Sequence, residues 1–371
     1  MQQLSVLIKP SSSKCNMACS YCFYEDIANH REIKDYGFMT QETMIKIIDQ
    51  SLLMVPMGHI HFSFQGGEPT LIGLPFFISF IEYVIKHKNQ SQIIHYNIQT
   101  NGTLLSEAWL LFFKKHQFLV GLSLDGYKAH HDTYRYFKNY QSSFDQVLEQ
   151  YHKLIAYDID VNILTVVNND LANNIEKVYA FYKNEQMTHL QFLPELSEIN
   201  LMHTSPHLSE EQYEKMIKTL FDLWYDDIRN NCLVSIKYFD QILLMYLGYE
   251  PESCEMKGTC SIQNVIESDG SVYPCDFYVD EKHKLGMIDE GFQSLMFNDI
   301  SKKFIYESMD KHEDCYTCPW FSLCRTGCKR RRDLSHKDVF CKANQHFFAY
   351  AHERFLSLAK DIEQGLIIEK K

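Results

Sequence analysis

Leu4-Ser5-Val6-Leu7-Ile8-Lys9-Pro10-Ser11-Ser12-Ser13-Lys14-Cys15-Asn16-Met17-Ala18-Cys19-Ser20-Tyr21-Cys22 is the stretch on which the reading turns. Leu4 to Lys9 has the apolar, β-branched character of a strand. The three cysteines follow it in one loop, so their thiolates project from a strand end, where parallel α/β barrels keep their chemistry. A structural zinc site uses four ligands, commonly in paired C-x-x-C form. Three cysteines at three-and-two spacing leave one metal position without a protein ligand, open to a substrate. The spacing alone also fits a partial zinc site or three core cysteines.

The same strand character recurs at Ile60 to Phe64, Ile94 to Gln99, Val120 to Leu124, Val161 to Val167, His189 to Leu193 and Val234 to Tyr238. Between these runs, Gln41 to Leu53, Leu74 to His87, Ser106 to His116, Ser143 to Tyr157, Asn173 to Lys183 and Ser209 to Ile228 carry apolar residues at helical spacing. Thr40 and Ser209 stand as caps, with Glu in the following turn. This alternation predicts an α/β fold, a partial TIM-type barrel of six βα units. Beyond about residue 250 the pattern breaks into short segments. A hairpin is expected where Asp269-Gly270 separates Asn264 to Ser268 from Ser271 to Tyr273. Asn344 to Ala359 reads as a closing helix and Gln364 to Lys371 as a polar tail. The expected domains are a barrel over 1–235, a cysteine-rich domain over 236–343, and the helix and tail over 344–371.

The 371 residues suffice for two or three folding units, and 45% hydrophobic with 23% charged residues is the composition of a globular protein. A net charge of -12 argues against a nucleic-acid partner, Lys329 to Arg332 being the one basic run. No apolar stretch reaches the roughly 18 residues of a membrane span, and no signal sequence is evident, so a cytoplasmic location is expected. Twelve cysteines in such a chain point to metal or chemistry rather than disulfides. Three fall at 15–22 and eight at 254–341, as Cys254, Cys260, Cys275, Cys315, Cys318, Cys324, Cys328 and Cys341. Cys232 stands apart and is expected to be a small buried hydrophobe.

Gln65-Gly66-Gly67-Glu68-Pro69 ends the second expected strand. Adjacent glycines let backbone approach a ligand, and Glu68 is placed to accept an ammonium group. Cys-x3-Cys-x2-Cys with an aromatic before the last cysteine, followed by Gly-Gly-Glu-Pro, resembles the radical S-adenosylmethionine enzymes. That resemblance implies a [4Fe-4S] cluster on Cys15, Cys19 and Cys22 whose open iron chelates S-adenosylmethionine. It further implies cofactor contacts from Tyr24, Gly67, Glu68, Ser123 and Arg135, with Leu196 framing the adenosine.

The eight later cysteines resemble the SPASM extension of peptide-modifying radical enzymes. This implies two more [4Fe-4S] clusters, one on Cys254, Cys260, Cys275 and Cys328, the other on Cys315, Cys318, Cys324 and Cys341. Thiolate quartets suit zinc as well, and a zinc-binding interaction module is the alternative of another class. A narrower resemblance spans nearly the whole chain. Leu7 to Pro10, Cys22 to Tyr24, Phe64 to Thr70, Gln99 to Thr103, Glu267 to Tyr278 and Cys315 to Cys328 are similar to anaerobic sulfatase-maturating enzymes.

The implied activity is oxidation of a cysteine or serine in a sulfatase polypeptide to formylglycine, with Asp276 as catalytic base. The reaction would draw on an external low-potential donor such as ferredoxin or flavodoxin. The same two cluster sets would equally serve a maturase forming a thioether, an epimer or a carbon-carbon crosslink in a ribosomal peptide. The segment from Leu193 to Ser209 fits the resemblance least and is a candidate border of the peptide site.

Overall fold

A computed structural model of the chain describes residues 2–199 and 208–366. Residues 200–207 of the Leu193 to Ser209 candidate border therefore lie outside the described residues. The chain forms two compact units that interleave in sequence. The first gathers Met1–Leu124, Asp132–Asn162 and Ser261–Glu307, the second Asp125–His131, Ile163–Cys260 and Ser308–Lys371.

In the first unit β1 (Gln2–Ile8), β2 (Gly58–Phe64), β3 (Gln92–Thr100) and β4 (Leu119–Ser123) run parallel in sequence order. Pleating puts Ile60, Phe62 and Phe64 on one buried face. There Phe62 and Phe64 meet Phe80 and Phe77 at ring-centroid separations of 5.0 and 4.8 Å. The intervening helices are α1 (Phe23–His30), α2 (Gln41–Met54), α3 (Leu74–His87) and α4 (Glu107–Lys115). Because the strands are parallel, the loops after β1, β2, β3 and β4 leave from one end of the sheet. These loops carry the cysteines, Gly66 to Glu68, Asn101 and the residues around Ser123. On the other edge, β8 (Val265–Ile266) lies parallel to Leu7 and Ile8 of β1. It turns through Asp269-Gly270 into β9 (Ser271–Tyr273), and β10 (Gly286–Met287) follows antiparallel. The expected hairpin thus becomes an extension of the barrel sheet, bringing Glu267 and Asp276 back to β1.

The second unit holds the parallel strands β5 (Asp160–Val167), β6 (His189–Pro194) and β7 (Ser235–Ile236). Its helices are α7 (Asn169–Asn173), α8 (Ile175–Asn184), α9 (Glu210–Arg229), α10 (Lys237–Tyr246), α13 (Phe321–Cys324) and α14 (Cys341–Glu363), with the first part of α5 (Lys128–Tyr134). α6 (Phe144–Ala156), α11 (Phe292–Met296) and most of α12 (Asp299–Met309) fall in the first unit. Phe221 and Trp224 of α9, Phe239 of α10, and Phe347 and Phe355 of α14 are all buried and form one aromatic cluster.

Three expectations are corrected. Val234 to Tyr238 is a strand only at Ser235 and Ile236; Lys237 opens α10, whose Phe239 and Ile242 bury at helical spacing. Asn173 to Lys183 starts two residues later, as α8 from Ile175, because Asn173 ends a separate short α7 capped by the Asn168 side chain. Cys232 is exposed, because the chain leaves α9 through Asn231 in the left-handed region and carries the thiol outward.

Candidate active site and cluster ligands

The cysteine loop is held from two sides. Gly67 N–H donates to Ser12 O at 2.9 Å and Glu68 N–H to Lys14 O at 2.7 Å, so the glycine strand end is zipped to the residues just before Cys15. A Cβ on Gly67 would stand 2.1 Å from Lys14 O, which is why this position tolerates no side chain. On the other side Asn101 Nδ2 lies 3.8 Å from Cys15 Sγ and 2.9 Å from Asn16 Oδ1. Cys22 caps α1, its Sγ accepting from Glu25 N–H at 3.4 Å. Burial, with Glu68 and the two other thiols adding to it, pushes the Cys15 thiol up to about 12. Burial also raises Cys22, against the opposing influence of Arg135.

Glu68 is buried and fully engaged with the next loop. Oε1 accepts from Thr70 N–H at 3.0 Å, Thr70 Oγ1 at 2.5 Å and Thr100 Oγ1 at 2.8 Å; Oε2 accepts from Asn101 N–H at 2.8 Å. Burial raises its pKa despite these four donors. Among the expected cofactor contacts, Ser123 Oγ accepts from Gln99 Nε2 at 2.8 Å, and Arg135 Nη1 donates to Tyr21 Oη at 3.0 Å. Tyr24 is buried and its hydroxyl is turned to Glu267. Leu196 belongs to the second unit, half-buried just beyond β6, and neighbouring Glu195 is pushed up to about 7 by burial and then by Asp125.

Asp276 lies in the first unit with a cluster of charges around it. Lys9, wholly buried, forms an ion pair with Asp276 through Oδ1, and its ammonium stands 3.4 Å from the centre of the Tyr24 ring. Tyr24 and Arg31 both donate to Glu267, the latter at 2.8 Å. Phe277 meets Phe23 edge to face at 5.2 Å, tying the Asp276 segment to the helix that Cys22 caps. Lys9, Tyr21, Asn101 and Glu267 were not singled out from the sequence as site residues. Lys9, Asn101 and Glu267 lie in blocks that carried the family resemblance, and Tyr21 is the aromatic before Cys22.

Cys275 falls in the first unit and the other seven late cysteines in the second. Those seven divide by neighbourhood. Cys328 lies within electrostatic reach of Cys254, and Cys254 of Cys260. Cys324 and Cys341 lie in reach of each other and of Cys315, and Cys341 of Cys318. Gln345 Nε2 touches two of these sulfurs, Cys318 at 3.6 Å and Cys341 at 3.9 Å. The described residues include all twelve cysteines, and none of them forms a disulfide. Grouped thiols whose burial and mutual repulsion resist ionisation are suited to bind iron, which takes the place of the protons and compensates the thiolate charge. The grouped thiols of Cys15, Cys19 and Cys22 and of Cys315, Cys318, Cys324 and Cys341 therefore fit iron-sulfur clusters, as do Cys254, Cys260 and Cys328 as three donors of a further set.

Residues 10–182 match the Radical SAM superfamily model and residues 254–319 the SPASM model, an iron-sulfur cluster-binding domain. The chain is 43% identical to a cysteine-type anaerobic sulfatase-maturating enzyme of Clostridium novyi, across 98% of this chain and 99% of that protein. A serine-type counterpart from Bacteroides thetaiotaomicron is 30% identical across 94% of this chain and 89% of its own length. The solved structure of native anSMEcpe with bound AdoMet superimposes with a TM-score of 0.92 at 40% identity, covering 96% of this chain and all of that one. The same protein with bound AdoMet and the Kp18Cys peptide also gives 0.92, at 39% identity over 97% of this chain and all of that one. With end-to-end likeness in sequence and fold, the chain belongs to the anaerobic sulfatase-maturating enzymes, radical S-adenosylmethionine proteins that carry a SPASM iron-sulfur extension.

Proposed function

We propose that this chain oxidises a cysteine of a sulfatase polypeptide to Cα-formylglycine, with Asp276 as the base. The single observation that carries the base assignment is the position of Asp276. It sits next to Cys275, ion-paired to a buried lysine and tied through Phe277 to the helix capped by Cys22. Cysteine is favoured over serine because similarity to the cysteine-type relatives is higher, at 43% and 40%, than to the serine-type relatives, at 30% and 27%. Solved structures of anSMEcpe with the Kp18Cys and Cp18Cys peptides support a polypeptide substrate.

Cys15, Cys19 and Cys22 would hold the first cluster, with Cys254, Cys260, Cys275 and Cys328 on the second and Cys315, Cys318, Cys324 and Cys341 on the third. When bound, S-adenosylmethionine and the clusters would supply radical hydrogen-atom abstraction and an acceptor for the following electron. The protein's part is to place groups. Gly66 to Glu68, Ser123, Arg135, Tyr24 and Leu196 would shape the cofactor's surroundings. Lys9 holds Asp276 through Oδ1, and the carboxylate so placed would take the substrate thiol proton. In the overall balance the cysteine thiol and one water give the aldehyde, hydrogen sulfide, two protons and two electrons.

The functional partition we adopt is barrel 1–235, SPASM region 236–343 and closing helix with tail 344–371, supported by the spans of the two family matches. An external low-potential donor of the ferredoxin or flavodoxin kind would start each turnover, and a cytoplasmic setting suits reduced clusters. Among the described residues no helix is long and apolar enough to cross a membrane. The test is anaerobic incubation with a sulfatase-derived cysteine peptide, S-adenosylmethionine and reductant. The product mass should fall by one sulfur and two hydrogens and rise by one oxygen. Asp276→Asn should keep the iron content and cofactor cleavage and lose the aldehyde; an unchanged product yield would remove Asp276 from the base role.

A further inference from the structure

Of the basic run Lys329 to Arg332, which in the sequence is the one feature suited to an outside anion, Arg330, Arg331 and Arg332 are spent inside the second unit. Arg330 Nη2 donates to Ser197 O at 2.5 Å, next to Leu196. Arg332 reaches the carbonyls of Thr326, Ser308, Asp310 and Gly327 at 2.6 to 3.2 Å. Arg331 makes charged contacts. Its Nη1 donates to Glu255 Oε2 at 2.7 Å, its Nη2 stands 3.4 Å from Asp338 Oδ2, and its buried Nε has no partner.

Each of the three charges is fixed to a different cysteine. Glu255 directly follows Cys254. Arg331 N–H donates to Cys328 O at 2.9 Å, and Cys341 N–H donates to Asp338 O at 2.9 Å. Gly327 makes room for this arrangement: a Cβ there would lie 2.1 Å from Asp338 Oδ2, and its φ of +65° suits glycine. The line Glu255, Arg331, Asp338 therefore runs from the neighbourhood of Cys254 and Cys328 to that of Cys324 and Cys341. Largely buried ion pairs are weak sources of stability, because desolvation offsets their attraction. Two carboxylates on one guanidinium leave a net negative charge in a region already rich in thiols, which makes a purely stabilising role a poor account of the trio.

We propose that Arg331, held between Glu255 and Asp338, is the electrostatic bridge between the two auxiliary ligand shells and sets their reduction potentials relative to each other. The proposal rests on the cluster assignments given above. A one-electron reduction adds a negative charge to a cluster. A fixed cation nearby stabilises the reduced form and a fixed anion opposes it. With the guanidinium shared, the Cys254 and Cys328 side feels Arg331 partly masked by Glu255, and the Cys324 and Cys341 side feels Asp338 partly masked by Arg331. The difference biases where the electron taken from the substrate comes to rest. Arg331 is thus a positioning residue for charge and touches no reacting atom.

The test is an EPR-monitored redox titration of the full-length, iron-reconstituted protein with peptide absent. Arg331→Met should make the auxiliary couples harder to reduce, with the reduced-to-oxidised ratio at fixed ambient potential falling about tenfold, or about 59 mV for one electron. Glu255→Gln and Asp338→Asn, which keep shape and remove charge, should move the couples the opposite way. Glu255→Gln should act mainly on one couple and Asp338→Asn mainly on the other. Arg331→Lys should restore most of the native potentials. Opposite signs from the cation and the anions are not a signature of general damage, and the acid variants serve even if Arg331→Met fails to fold. Potentials unmoved in the folded variants, with native iron content and spectra, overturn the bridge alone. A wild-type protein without auxiliary cluster signals overturns the cluster reading and the bridge with it.

Discussion

Glu68 accepts four hydrogen bonds from Thr70, Thr100 and Asn101, and only Oε2, with a single donor, has capacity to spare. Its first task is thus to lock the loops after β2 and β3 together, and any contact with an ammonium group uses what remains of Oε2. Gly67 does the parallel work for the loop after β1. Gly67→Ala should push Lys14 away, abolish cofactor cleavage and remove about one third of the bound iron, while auxiliary cluster spectra persist. Full cleavage activity in that variant would show that the close approach is dispensable. Glu195 gives a pH-dependent counterpart. Its pKa of about 7, raised by burial and by Asp125, lies above the roughly 4.3 of a free glutamate. The folded state then holds more protons than the unfolded state between those values, so stability falls as pH rises through that window and stays low above 7. Glu195→Gln removes the charged form and should raise Tm at pH 8 while changing it little at pH 5. Equal gains at both pH values, by anaerobic thermal unfolding, would contradict the assignment.

Elements were legible in the sequence where the signal is local. Leu74 to His87 and Gln41 to Leu53 were recovered within a residue, since apolar spacing, the Thr40 cap and flanking turns all agree. Val234 to Tyr238 misled because Val, Ile and Tyr favour strands while the chain is already entering α10, whose apolar spacing continues past Tyr238. The pairing of β8 with β1 joins Leu7 and Ile8 to Val265 and Ile266, and no periodicity encodes a register over such a separation. That pairing is what brings Asp276 to Lys9, so Asp276 stood out only through resemblance and its lysine partner not at all. Likewise the spacing set the cysteines apart as metal-binding candidates and resemblance alone grouped them, while the inward turn of Arg330 to Arg332 was not legible, because its partners are backbone carbonyls and distant carboxylates. In the second unit the decisive contact is α9 against α14. Phe221 is fully buried at the centre of the aromatic cluster formed with Trp224, Phe239, Phe347 and Phe355. Phe221→Ala should cost about 3–5 kcal/mol, read as a shifted anaerobic denaturation midpoint, with little change in the spectra of the clusters. A loss under about 1 kcal/mol would mean the helices do not depend on this core.

At the scale of the molecule, the hydrophobic effect is distributed unevenly, and metal must make up the difference. Unit one has the apolar faces of β1 to β4 to bury, and unit two has α9, α10 and α14. Between Phe304 and Phe340, however, no hydrophobic side chain is buried among the described residues. The buried residues there are Ser308, Thr326, Arg330, Arg332 and Asp338. Fixing the backbone of about 35 residues opposes folding by roughly 1–2 kcal/mol each. Hydrogen bonds contribute only about 0.5–1.5 kcal/mol apiece, so the carbonyl contacts of Arg332 fall far short. The same stretch carries Cys315, Cys318, Cys324 and Cys328, with Cys341 just beyond it at the start of α14. Ligation of a cluster to such a segment is folding free energy, as in small zinc domains that are unfolded without metal. Anaerobic iron removal should therefore melt 305–339 selectively. Hydrogen exchange of the iron-free protein should show these amides near unprotected rates. β1 to β3 and the facing turns of α9 and α14 should keep most of their protection. Should 305–339 stay as protected without iron as with it, the Arg330 to Arg332 contacts would be holding the segment by themselves, and the clusters would be passengers in the fold.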